Sequence, residues 1–189
     1  MKSIIIMASG SGSNAENIVR HFESNKNIQV TAIFSNKKDA KVLERASKLG
    51  ISAYYFNKTA FLESQIVKLF KALDPDLIVL AGFLWKIPTD LVNAFENKII
   101  NIHPALLPKY GGKGMFGMNV HRAVKENGET ESGISIHFVN ERYDEGNMIF
   151  QAKTEVLASD SPEQIAEKVH NLEYEHFPQI IEKLLNGKI

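Results

Sequence analysis

Cysteine is absent from this chain of 189 residues. Its absence excludes disulfide bonds, a thiolate nucleophile and zinc sites with cysteine ligands, and it is typical of a reducing compartment. An excess of charge is missing as well, because 22 Lys and Arg residues balance 22 Asp and Glu residues. A neutral chain lacks the basic surface that unspecific nucleic-acid binding requires, so no nucleic-acid partner is expected.

Long apolar runs are also missing. No stretch approaches the roughly 18 residues of a membrane span. The apolar run at 3–7 is too short for a signal peptide, since the Ser-Gly-Ser-Gly segment 9–12 follows at once. We therefore expect a mature cytoplasmic chain without a membrane partner. The length of 189 residues favours one domain.

Short apolar runs alternate with helical patterns over the first half of the chain. Strands are predicted at 3–7, 28–34, 52–56, 76–83 and 98–103, and helices at 14–22, 39–49, 59–73 and 88–95. This order predicts an α/β protein with a doubly wound, mostly parallel sheet and helices on both faces.

The pattern changes after a glycine-rich loop at 104–118. A helix at 119–127 and a last helix at 161–185 flank two strands, 133–139 and 148–156, which we expect to form a C-terminal antiparallel hairpin. Ser161 is a suitable N-cap for the last helix. Pro178 is expected to break or kink that helix, because proline lacks the N–H that the helix interior needs.

Residues 9–14 read Ser-Gly-Ser-Gly-Ser-Asn and join the first strand to the first helix. Glycines allow close backbone approach, and free N–H groups at a helix start favour an anion, so this loop predicts a phosphate site. A tight turn with an ordinary N-cap is the structural alternative. With Ala15 the loop also fits a relaxed dinucleotide fingerprint, and Lys37 and Lys38 are placed to meet a 2′-phosphate, so an NADP-linked reductase stays open.

Asn101 and His103 give the sharper chemical signal. Residues two apart on a strand face the same way, and ligands bind outside the carboxyl ends of parallel strands. A carboxamide and an imidazole there can polarise a carbonyl and hold an oxyanion. Asp144, between the last two strands, would raise the pKa of His103. The alternatives are a hydrogen-bonded pair at a strand end and a hairpin turn around Asp144.

The remaining histidines need no function from their sequence patterns. His137 is expected to be structural or to support the catalytic residues. The others fall on helical or loop patterns: His21, His121, His170 and His176. No His, Asp and Glu spacing matches a metal site, and no nucleophile elbow is present, so no metal is expected.

Five segments in fixed order resemble the folate-dependent formyltransferases: 9–14, Ala-Gly-Phe-Leu at 81–84, Asn-Ile-His-Pro-Ala-Leu-Leu-Pro at 101–108, Ser-Ile-His-Phe-Val at 135–139, and Asp144. The resemblance covers nearly the whole chain. It implies the formyltransferase fold and transfer of a formyl group from 10-formyltetrahydrofolate, as co-substrate, to the amine of a phosphorylated glycinamide ribonucleotide. On this resemblance the single domain 1–189 has a nucleotide-binding-like half, 1–100, and a catalytic and folate-binding half, 101–189.

The resemblance also implies roles for individual residues. The catalytic residues would be Asn101, His103 and Asp144. The ribonucleotide would be bound by Gly12, Ser13, Asn14 and Glu173. The folate pocket would be walled by Leu84, Trp85, Lys86, Ile87, Asn140, Glu141 and Tyr143.

Other members of the superfamily stay open. A formyltetrahydrofolate hydrolase uses a similar trio with water as acceptor, and a sugar-nucleotide formyltransferase is a further alternative. A methionyl-tRNA formyltransferase would need a basic face and a further C-terminal domain. A non-catalytic nucleotide-binding module would keep the loop at 9–14 and use the trio structurally. The expected partners are small molecules, and the expected assembly is a monomer or a homodimer.

Overall fold

The computed structural model describes residues 1–189 as a single sheet with flanking helices. The strands are β1 (Lys2–Met7), β2 (Ile28–Ser35), β3 (Ser52–Tyr55), β4 (Leu77–Leu80), β5 (Ile99–His103), β6 (Glu131–Phe138) and β7 (Met148–Glu155). The helices are α1 (Ser13–Phe22), α2 (Lys41–Lys48), α3 (Lys58–Leu62), α4 (Gln65–Leu73), α5 (Thr89–Ala94), α6 (Met118–Glu126) and α7 (Pro162–Leu185).

The seven strands lie in the order β3-β2-β1-β4-β5-β6-β7. The strands from β1 to β5 are parallel, whereas β6 pairs antiparallel with both β5 and β7. The chain builds outward from β1 in one direction and then, from β4, in the other. Ligands of such sheets bind where this reversal occurs, outside the carboxyl ends of the strands.

Each face of the sheet buries its own apolar core. Ile4 and Ile6 belong to a core that includes residues of α1, α2, α6 and α7, while Ile5 and Met7 belong to a core with residues of α4 and α5. Successive side chains of a strand point to opposite faces, so an unbroken apolar run is needed when both faces are covered. The predicted fold class, including the antiparallel C-terminal strands, is confirmed.

The predicted helix 59–73 is wrong in one respect, because the structure has two helices there. The chain turns at Ser64, whose φ of 58° is left-handed, and the Ser64 hydroxyl donates a hydrogen bond to the Asp90 carboxylate. The apolar spacing continues through the turn, which is why the sequence pattern suggested one helix.

The predicted break at Pro178 is also wrong, since α7 continues as one element from Pro162 to Leu185. Pro178 cannot donate to the carbonyl of Tyr174, four residues earlier. That carbonyl instead accepts a hydrogen bond from Asn17 Nδ2 on α1, at 2.9 Å. A neighbouring side chain therefore replaces the donor that Pro178 lacks, within a helix that is continuous through this residue. At its start, Ser161 is the predicted N-cap and forms a capping box with Gln164.

The boundary between the two predicted halves, at residues 100 and 101, falls inside β5. Hydrogen bonds continue across it, from β4 to β5 and from β5 to β6. The division of the domain into halves remains a prediction.

Candidate active site

A cavity of about 410 Å³ opens where β1, β4 and β5 end. The predicted strand 76–83 is shorter than expected, because residues 81–84 leave the sheet after Leu80 and line this cavity. The first turn of α6 and the middle of α7 close its other side. All the predicted catalytic and ribonucleotide-binding residues line it: Gly12, Ser13, Asn14, Asn101, His103, Asp144 and Glu173.

The loop after β1 brings backbone N–H groups to one end of the cavity. Gly12 adopts a φ of 76° and lies against Val42, so a side chain there would clash as well as strain the backbone. Ser13 and Asn14 then begin α1, whose N-terminus carries partial positive charge. The arrangement provides what an anion such as a phosphate needs.

Glu173 reaches the same end of the cavity from α7 and is only 6% exposed. Its carboxylate accepts a 2.8 Å hydrogen bond from Asn14 Nδ2. Burial raises the pKa of Glu173 above its ordinary value, although the Asn14 bond and the charge of His170 act in the opposite direction. The Oδ1 atom of Asn14 is buried without a hydrogen-bond partner.

Asn101 is held by a histidine on the neighbouring strand. His137 Nδ1 lies 2.8 Å from the Phe138 carbonyl, so Nδ1 carries the proton and donates it. In the neutral ring His137 Nε2 accepts a hydrogen bond from Asn101 Nδ2 at 3.1 Å, and in the protonated ring the same nitrogen faces Asp144 Oδ1 at 3.6 Å. One hydrogen of the Asn101 amide remains for another acceptor. The prediction that His137 supports the catalytic residues agrees with this geometry.

His103 is 4% exposed, and both of its ring nitrogens have a neighbour. Nε2 donates to the Tyr110 carbonyl at 2.7 Å, while Nδ1 faces Asp144 Oδ2 at 3.7 Å. Burial lowers the pKa of His103, and this outweighs Asp144 and the Tyr110 carbonyl, which both raise it. The ring is therefore held more firmly in its neutral form than a histidine in water.

This net direction corrects one expectation. Asp144 does act to raise the pKa of His103, as predicted, but the pKa as a whole is lowered because burial is the larger effect. A resting imidazolium beside Asn101 is therefore not the arrangement that the structure favours.

Asp144 lies in the connection between β6 and β7 with a φ of 56°. Its Oδ2 accepts a 2.8 Å hydrogen bond from the Gly112 N–H, and its Oδ1 lies 3.6 Å from His137 Nε2. Burial raises the pKa of Asp144, but the contacts with His137, His103 and Gly112 together outweigh it and lower that pKa. A negative charge is thus held beside both histidines.

A smaller cavity of about 70 Å³ lies on the other side of Asp144. Among the residues predicted for the folate pocket, five line it: Trp85, Lys86, Ile87, Asn140 and Tyr143. Leu84 lines the larger cavity instead. Glu141 lines neither cavity, and Arg142 lines the smaller one in its place.

The two cavities meet at shared lining residues, which are Phe83, Asn101, Tyr143 and Asp144. Two of the three predicted catalytic residues are therefore open to both cavities. A group bound in one cavity can face a group bound in the other across Asn101 and Asp144.

Sequence reasoning missed several residues that hold this arrangement. Ser135 Oγ donates to the Ala105 carbonyl at 2.7 Å and accepts from Leu107 N–H at 2.9 Å, which fixes the loop after β5. His121 and His170 line the larger cavity, although no function was expected of them. None of these contacts has a local signal in the sequence, because each joins separate elements.

The two lysines on which an NADP-linked reductase would depend do not lie at the larger cavity. Lys37 and Lys38 follow β2, on the far side of β1, and neither lines the cavity that begins at Gly12. No helix of residues 1–189 is long and apolar enough to cross a membrane. No group of three or more His, Asp or Glu side chains is placed to hold a metal ion.

Comparison with known proteins agrees with the fold. Residues 2–181 match the family model described as formyl transferase. The chain is 36% identical over 193 residues to phosphoribosylglycinamide formyltransferase of Escherichia coli, covering 99% of this chain and 89% of that protein. It is 37% identical to the chloroplastic phosphoribosylglycinamide formyltransferase of Arabidopsis thaliana, covering 100% of this chain and 67% of the relative.

A solved structure has the same architecture. Glycinamide ribonucleotide transformylase 1 from Symbiobacterium toebii superimposes with a TM-score of 0.90 at 30% identity, covering 99% of this chain and 89% of that one. The chain belongs to the formyl transferase family and is a transferase. Within that family, the relatives described above act on phosphoribosylglycinamide or glycinamide ribonucleotide, as their names state.

Proposed function

We propose that this chain transfers a formyl group from 10-formyltetrahydrofolate to the amine of N1-(5-phospho-D-ribosyl)glycinamide, a step of de novo purine (IMP) biosynthesis. The observation that carries the proposal is the meeting of two cavities at Asn101 and Asp144. Each co-substrate has a cavity of its own, and their reacting groups face one another at the junction. The names of the relatives support the choice of the acceptor and of a formyl group as the group transferred.

The larger cavity takes the ribonucleotide. Gly12, Ser13 and Asn14 bind the phosphate through the start of α1. Glu173, one helix away, accepts hydrogen bonds from the sugar. The substrate amine then reaches His103 at the opposite end of the cavity.

The smaller cavity takes the folate ring system. Trp85 and Tyr143 line this cavity and provide aromatic surface against which the flat pyrimidinone ring of the reduced pterin can pack. Leu84, Lys86, Ile87 and Asn140 complete its wall, and the Lys86 ammonium lies 5.9 Å from the centre of the Tyr143 ring. Glu141 has no part in this proposal, because it lines neither cavity.

The catalytic chemistry is direct attack of the amine on the formyl carbon. The remaining N–H of Asn101 donates to the carbonyl oxygen as it becomes an oxyanion; one such donor is worth about 3–4 kcal/mol. Neutral His103 accepts a proton from the attacking nitrogen and delivers it to the departing folate nitrogen. Asp144 stabilises the imidazolium that exists between these two transfers. Proton transfer of this kind contributes on the order of 10²–10⁴-fold.

The proposed setting is the cytoplasm, and the proposed assembly is a monomer or a homodimer. The reaction uses no covalent enzyme intermediate, so the absence of cysteine has no consequence for it. The donor and acceptor are both small molecules.

The test measures consumption of 10-formyltetrahydrofolate with and without the ribonucleotide. We expect consumption only when the ribonucleotide is present, with one formylated ribonucleotide formed per donor consumed. Equal consumption in its absence would identify a hydrolase. Consumption only with a sugar nucleotide bearing an amine would assign a different acceptor. Binding of both compounds without turnover would favour a binding module.

A further inference from the structure

His121 lies in the first turn of α6 and is 1% exposed, yet it lines the larger cavity. The ring centroid of His121 is 6.4 Å from that of His170 on α7, and His103 is close enough to affect its charge. His121 is therefore near His103 and near His170 on α7, the helix that also carries Glu173.

The imidazole of His121 has no hydrogen-bond partner in the protein. Its Nδ1 atom is buried and unpaired. Buried polar groups are nearly always paired, and an unpaired one destabilises the free protein. Asn14 Oδ1, on another residue that lines this cavity, is buried and unpaired as well. Two polar atoms of the cavity lining therefore lack a hydrogen-bond partner.

The charge state of His121 limits what that partner is. Burial lowers the pKa of His121 to about 4, and electrostatic interaction with the His170 and His103 rings acts in the same direction. The ring is neutral at physiological pH, with one donor and one acceptor nitrogen. Such a ring suits uncharged hydroxyl or carboxamide groups rather than a phosphate.

We propose that His121 is a positioning residue that hydrogen-bonds the uncharged middle of the ribonucleotide, the segment that joins the ribose to the glycine amide. The proposal rests on the proposed function. With the phosphate at Gly12 and the amine at His103, this segment lies beside His121. The hydrogen bond from His121 holds the ribonucleotide between its phosphate and its amine, and so directs the amine toward the formyl carbon.

The test compares His121→Leu with His121→Gln in steady-state assays. We expect His121→Leu to raise KM for the ribonucleotide roughly tenfold, the loss of one hydrogen bond, with KM for the folate unchanged. His121→Gln, which keeps a neutral donor and acceptor, is expected to recover part of that loss. His176→Leu is the matched control, because that ring packs on Phe150 and does not line the cavity.

Urea unfolding distinguishes a role of His121 in positioning the ribonucleotide from a role in the stability of the fold. Since the Leu variant removes an unpaired polar group from the interior, it is expected to be as stable as the wild type or more stable. A wild-type KM in His121→Leu would overturn the inference, as would a KM that rises only together with a loss of stability in both variants. Turnover of the ribonucleotide by the wild type in the same assay keeps the proposed function separate from this result.

Discussion

His103 Nδ1 faces the Asp144 carboxylate at 3.7 Å, because the bond from Nε2 to the Tyr110 carbonyl fixes the ring. Burial keeps this imidazole neutral in the free protein. Under the proposed mechanism, His103 receives a proton from the attacking amine during the reaction. The negative charge of Asp144, which stabilises the resulting imidazolium, is already in place. Preorganised charge of this kind requires little rearrangement during the reaction.

Replacing His103 with Ala is expected to lower kcat/KM for formyl transfer by about 10²–10⁴-fold, the usual contribution of general acid–base catalysis. Circular dichroism and urea unfolding are expected to show a folded protein. The control is His176→Ala, whose side chain lies outside both cavities. A kcat/KM within threefold of the wild type would exclude His103 from the chemistry.

Asp144→Asn is expected to change the pH dependence of kcat as well as its size. Asp144 raises the pKa of His103, so its neutralisation lowers that pKa further below the ordinary value of 6.5. The rate requires neutral His103, and the rate therefore begins to fall at a lower pH in the variant than in the wild type. The plateau also falls, because the imidazolium loses its counter-charge. A pH–rate profile that moved to higher pH would contradict this arrangement.

The central parallel strands β1 and β4 could be predicted from the sequence because both of their faces are buried. Segments such as 4–7 and 77–80 contain only apolar residues, and this pattern is independent of distant contacts. The turn at Ser64 could not be predicted in this way, since the hydroxyl that supports it bonds Asp90, 26 positions away.

The candidate site was predictable where it depends on strand geometry. The two-residue spacing of Asn101 and His103 at a strand end was enough to place both beside the cavity. The protonation of the rings was not predictable, because it is fixed by the backbone carbonyls of Tyr110 and Phe138. Every residue has a carbonyl, so no sequence signal marks these two. The burial that outweighs Asp144 is likewise a property of the assembled fold.

The bond between Asn17 and the Tyr174 carbonyl can be tested by a double-mutant cycle with Pro178. Asn17→Ala is expected to lower the free energy of unfolding by about 1 kcal/mol in the wild-type background. In the Pro178→Ala background the cost is expected to be near zero, because the N–H of the new alanine can donate to the same carbonyl. Equal costs in both backgrounds, measured by urea unfolding, would show that Asn17 does not replace the missing donor.

The lowered pKa of His121 also makes the free energy of unfolding depend on pH. Its pKa is about 4 in the folded chain against 6.5 ordinarily. Between these values the unfolded chain binds a proton that the folded chain does not, so stability falls as the pH falls, by about 3 kcal/mol over the interval. His121→Leu is expected to remove this component, so its free energy of unfolding decreases less steeply with acid. The same slope in wild type and variant would contradict a buried neutral ring.

Direct transfer between two cavities is the central claim, and a rapid-quench experiment with a formyl-labelled donor tests it most directly. In a single turnover with both co-substrates, we expect the label to pass from folate to ribonucleotide with no label on the protein and none released as formate. Label retained on the quenched protein, or formate formed at the rate of donor loss, would contradict the account.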